Sequence, residues 1–90
     1  MEMQNYYFTY GSSGQPFYGG WTKIGAPTRH IACELFRSIH PDKYEGCLNC
    51  SSVYDEISFR HTSMWRNGNF GYREHEIICM QHIIVPEVNA

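Results

Sequence analysis

The chain has no apolar run approaching the ~18–20 residues that a bilayer-spanning helix needs. Its first residues, Met-Glu-Met-Gln-Asn, lack the basic region and apolar stretch of a signal peptide, so a cytoplasmic protein is expected. Charge is scarce as well. Seven Lys and Arg stand against nine Asp and Glu, for a net charge of −2. Without a basic stripe, broad nucleic-acid binding is not expected, and without a dense acidic face neither is nucleic-acid mimicry. Hydrophobic residues make up 42% of the sequence, which excludes general disorder. At 90 residues the chain reads as one small domain, residues 1–90, too small for a deep core plus a large internal active site.

Catalytic motifs are missing too. No G-x-S-x-G or comparable nucleophile-presenting turn occurs. His61-Thr62-Ser63 is half of a two-histidine phosphoesterase motif whose second half is absent. Glu74-His75-Glu76 reads as an acid/base cluster or, more simply, as the polar start of a strand. The glycines from Gly11 to Gly20 lead into a strand, whereas phosphate-binding glycine loops open helices. A non-enzyme is expected.

Metal chemistry is the nearest alternative. His30-Ile-Ala-Cys33 and Cys47-Leu-Asn-Cys50 together give H-x2-C-x13-C-x2-C, four ligands of the softness that suits structural zinc. The surroundings argue the other way. Leu48 and Ser51-Ser52 read as strand rather than knuckle, and an extended strand would point Cys47 and Cys50 to opposite faces. No cofactor is therefore expected. In a reducing compartment Cys33, Cys47, Cys50 and Cys79 are thiols or ligands rather than disulfides.

What the chain does have is an aromatic segment. Residues 6–21, Tyr-Tyr-Phe-Thr-Tyr-Gly-Ser-Ser-Gly-Gln-Pro-Phe-Tyr-Gly-Gly-Trp, hold seven aromatic residues beside four glycines. Alternation over 4–10 puts Tyr6, Phe8 and Tyr10 on one face of a first strand. Residues 11–16 are a turn, and 17–26 return as a second strand with Gly19-Gly20 as an irregular point. Thr28 is an N-cap for a helix over 28–39, whose Ala32, Leu35, Phe36 and Ile39 form one apolar stripe. Pro41 ends it.

Residues 47–54, with 56–62 beyond a bend at Asp55-Glu56, read as a third strand. Asn67-Gly68 predicts a tight primed turn. Residues 75–85 read as a last, central strand, apolar on both faces with one face under the helix. The class is α+β, a single helix on a mainly antiparallel sheet, in the order β-β-α-β-(β)-β.

Recognition is the function that the residue types favour. Trp65-Arg66-Asn67-Gly68-Asn69-Phe70-Gly71-Tyr72-Arg73 mixes aromatics, Arg and small polar residues, as binding surfaces do. In the first hairpin, Tyr6, Phe8 and Tyr10 are assigned to the core. Phe17, Tyr18 and Trp21, beside glycines, are assigned to the surface, near the Trp65–Arg73 loop. The candidate binding residues are Phe17, Tyr18, Trp21, Lys43, Trp65, Arg66, Asn69, Phe70 and Arg73.

The residue 6–21 string, His40-Pro41-Asp42-Lys43, Leu48-Asn49-Cys50-Ser51-Ser52-Val53-Tyr54 and Gly68-Asn69-Phe70-Gly71 together resemble a family of small single-domain proteins. That family belongs to gut anaerobic bacteria, their phages and mobile elements, and has no activity to carry over to any residue. The resemblance implies a cytoplasmic protein of a bacterial host that counters host immunity. Two forms follow: an inhibitor of the anti-CRISPR or related counter-defence type that binds a defence protein, or a trap for a nucleotide signal. The trap would stack a base between rings such as Tyr18 and Trp65, with Arg66, Arg73 or Lys43 on phosphates. A 90-residue monomer has little room for such a pocket, so the trap requires a homo-oligomer with an interfacial site.

Overall fold

A computed structural model describes residues 2–79. Their elements are β1 (Gln4–Thr9), β2 (Trp21–Ala26), α1 (Arg29–Ile39), β3 (Ser52–Asp55), α2 (Glu56–Arg60), α3 (Ser63–Asn67) and β4 (Glu74–Cys79). The strands form one sheet in the order β3-β1-β2-β4. β1 pairs antiparallel with β2 and β3, and β4 runs parallel to β2. The class is the expected α+β, on a mostly antiparallel sheet.

Strand geometry explains the two-sided core. Adjacent residues of a strand point to opposite faces, so Tyr7 and Phe8 cannot share one. Phe8 stacks on Phe36 of α1, with centroids 4.6 Å apart and planes 5° from parallel. Tyr7 stacks on Phe59 of α2 at 4.4 Å and 9°. On the first face, Tyr6, Phe8, Tyr10, Ile24 and Ala26 pack with Ala32 and Phe36. On the other, Tyr7, Trp21 and Phe59 are joined by Tyr54, Met64 and Trp65. Helices therefore cover both faces, where the sequence predicts one.

Helix α1 follows the expected stripe and caps. The Thr28 hydroxyl accepts from the Ile31 N–H at 3.2 Å, and the His40 N–H closes on the Phe36 carbonyl at 2.7 Å just before Pro41. Only Ile39, at the end of the stripe, turns out to solvent.

Four expectations are corrected. The second strand begins at Trp21, not 17, because Gly19 and Gly20 adopt φ of 75° and 82°, which an extended strand cannot hold. The third strand spans Ser52–Asp55, not 47–54, and its expected continuation over 56–62 is helical. Asp55 is the reason: its carboxylate accepts from the Ser58 N–H at 2.7 Å and starts α2. Thr62 starts α3 likewise, accepting from the Trp65 N–H.

The primed turn also lies three residues later. Gly68, at φ 86°, caps α3, and the turn is Asn69-Phe70-Gly71-Tyr72, with φ of 53° and 84° at its centre. Finally, β4 is at the edge of the sheet among the described residues, because the β1–β2 hairpin and β3 occupy the other places. Its Ile77 is 64% exposed. The rest of that expected strand, 80–85, lies outside the described residues. Among the described residues no helix is long and apolar enough to cross a membrane.

Candidate recognition surface

The start of β2 and the 69–73 segment are locked together through backbone. Gly19 and Gly20 permit it. A Cβ on Gly19 would come within 2.7 Å of the Tyr72 ring, and one on Gly20 would strike the Arg73 carbonyl. The Gly20 N–H donates to Asn69 O at 3.3 Å and the Trp21 N–H to Arg73 O at 3.1 Å. The buried Asn69 side chain completes the clamp, its Nδ2 donating to Gly20 O at 2.9 Å and Tyr10 O at 3.3 Å.

This clamp presents a tight two-residue turn closed by Asn69 and Tyr72, which bond each other through both N–H groups at 2.7 and 3.0 Å. Positive φ at both central residues is the mark of a type I′ turn, which favours Asn, Asp or Gly at its first central position. Here that position holds Phe70, 62% exposed. Its ring lies 5.4 Å from that of Tyr18, itself 50% exposed. Tyr72, 55% exposed, meets His75 at 5.7 Å.

Half-buried Phe17 links this surface to the core, touching Tyr10, His40 and His75 at centroid distances of 5.9, 5.7 and 5.5 Å. Beneath Phe17 runs a polar chain. The Tyr10 hydroxyl donates to Thr22 Oγ1 at 2.6 Å, Thr22 donates to Glu76 Oε1 at 3.0 Å, and that oxygen also meets His40 Nε2 at 2.8 Å. Burial holds the Tyr10 phenol above its ordinary range.

The structure brings Phe17, Tyr18 and Phe70 to one region, with Tyr72 and His75 beside them, whereas Asn69, expected as a contact residue, is buried with its Nδ2 spent on Gly20 O and Tyr10 O. Tyr72 belongs to the Trp65–Arg73 segment, but no local signal singles it out, because Phe-Gly is a poor predictor of the turn that exposes it. Three more expected contact residues have other roles. Trp21 is 2% exposed, a correction: beside β2's glycines its ring turns inward, edge-on to Phe59 at 4.8 Å, with Nε1 donating to Glu74. Arg73 donates Nη1 to Trp65 O and Nη2 to Arg66 O, each at 2.9 Å, closing the end of α3. Trp65 is half-buried against Phe59, under the Arg60 guanidinium at 4.6 Å.

Arg66 is exposed, and Lys43 lies apart, against the Ser12–Gln15 turn. Among the described residues no group of three or more His, Cys, Asp or Glu is placed to hold a metal ion, so His30, Cys33, Cys47 and Cys50 do not converge. Cys33 and Cys50 pack against the core, and burial pushes the Cys50 thiol up to about 12. His30 and Cys47 are exposed.

No family model, curated protein or solved structure matches the chain.

Proposed function

We propose that this chain is a non-catalytic binding protein and that the Tyr18–Phe70–Tyr72 surface is where it seats on a protein partner. The conformation of Phe70 carries this reading. A left-handed backbone costs a side-chain-bearing residue roughly 1–2 kcal/mol, and for a bulky residue it is an outlier. Phe70 accepts that cost and gains little burial. Such strain is retained where it serves a contact. Aromatic anchors on a rigid support are also what protein interfaces concentrate their energy in. The sequence resemblance supports a bacterial defence protein as the partner class.

Phage plaque assays in hosts carrying defined defence systems test the proposal. Expression of the chain restores plaques in one of them, and Phe70→Asn or Tyr18→Ser removes that protection while the protein still accumulates. Protection that survives both substitutions overturns the contact surface. No protection in any host overturns the partner class.

A further inference from the structure

We infer that a second site, independent of the aromatic surface, binds a small oxyanion in the cleft between the Ser12–Gln15 turn and the loop that begins at Lys43. The cleft has a volume of about 250 Å³ and opens between Ser12, Gly14 and Gln15 on one side and Lys43, Tyr44 and Asn49 on the other. Every one of these groups is neutral or cationic. Lys43 supplies the positive charge, and among the described residues it forms no ion pair. Of the carboxylates flanking Lys43 in sequence, Asp42 is held by Arg37 Nε at 3.0 and 3.2 Å, and exposed Glu45 does not line the cleft.

Two details make the cleft a fitting receptor for an anion. The first is Gly14. Its φ is not positive, so no turn geometry demands glycine there. What a side chain would do is collide with the Lys43 ammonium, since a Cβ on Gly14 meets Nζ before any other atom. The ammonium, at the end of a flexible side chain, occupies the space that a Cβ on Gly14 would take. The second is Gln15. Its Oε1 accepts from the Ser12 N–H at 3.0 Å and from Ser51 Oγ at 3.1 Å. With its oxygen engaged, the group Gln15 has left for a ligand is its Nε2 amide N–H, a donor only.

One ammonium flanked by neutral donors suits a head group of about one negative charge, carboxylate or phosphate. The volume is below the ~300–1,000 Å³ typical of drug-sized ligands, so the occupant is a small molecule or the charged end of a larger one.

The test is an amide-resolved NMR titration of the full chain with inorganic phosphate and, separately, with acetate, each against sodium chloride at matched ionic strength. Saturable shifts confined to residues 12–15 and 43–49 are expected with at least one of the two, and the one that saturates first identifies the head group. Lys43→Met weakens that binding about tenfold, the loss of one charge-assisted hydrogen bond, and leaves the rest of the spectrum in place. Gly14→Ala weakens it by displacing the flexible lysine while the fold persists. Shifts that chloride reproduces, or that Lys43→Met leaves unchanged, overturn the site.

Discussion

His40 and Glu76 meet at 2.8 Å, tying the end of α1 to β4. The same Glu76 oxygen takes the Thr22 hydroxyl, which in turn takes the Tyr10 phenol. Thr22 and Tyr10 are fully buried, so this chain is satisfied only as a whole.

Thr22→Val keeps the shape of the side chain and removes the link. It strands the Tyr10 hydroxyl without its acceptor and should cost about 1–3 kcal/mol in urea denaturation. Tyr10→Phe removes the terminal donor and leaves Thr22 bonded to Glu76, so it should cost less. Equal losses from the two substitutions would show that the chain does not act as a unit.

A second network sets acid stability. Burial opposes ionisation of Glu56, yet hydrogen bonds from Arg60, Tyr7 and Asn5 prevail and hold its carboxyl below the usual range. A depressed carboxylate stabilises the fold above its unfolded pKa and loses that contribution as pH falls through its folded value. Stability should therefore drop below about pH 4.3, the ordinary Glu value, and Glu56→Gln should flatten that drop. An unchanged acid limb in Glu56→Gln would remove Glu56 from the account.

Thiol reactivity should separate the cysteines. Burial raises Cys33, and it pushes Cys50 up to about 12. Alkylation near neutral pH should mark exposed Cys47 well before either, with Cys33 and Cys50 reacting on unfolding. A native-state group that keeps its proton longer than the unfolded chain lowers stability as pH climbs. The fold should thus weaken from about pH 8.5, the ordinary thiol value, toward the Cys50 value. Cys50→Ala should lessen that alkaline loss. Rapid native-state labelling of Cys50 would contradict its placement in the core.

Much of the fold is legible in the sequence. The alternation of Tyr6, Phe8 and Tyr10 and the stripe of Ala32, Leu35 and Phe36 each match one period cleanly, and both landed in the main core. Ile57 and Phe59 are also two apart, a strand spacing, yet two residues are too few to establish a period, and in the helix they point to opposite sides, Ile57 exposed and Phe59 buried. Asp55, three before Ser58, was the signal that decided it. Trp21 beside glycines suggested exposure, whereas the glycines serve to bring the Asn69–Arg73 segment against the backbone and leave the ring inside. The sequence predicts the turn at Asn67-Gly68 because that pair is the stronger local signal. The helix captured it as a terminus, and Phe70-Gly71 became the turn against local preference.

That conflict between preference and observed geometry is what equilibrium unfolding of Phe70→Asn measures. Asn tolerates the left-handed region, and Phe70 has little burial to lose. The substituted chain should be as stable as the original or more so, by up to about 1 kcal/mol. A loss of about 2 kcal/mol or more would mean that Phe70 is a packing residue of the fold, and the recognition surface would lose its anchor.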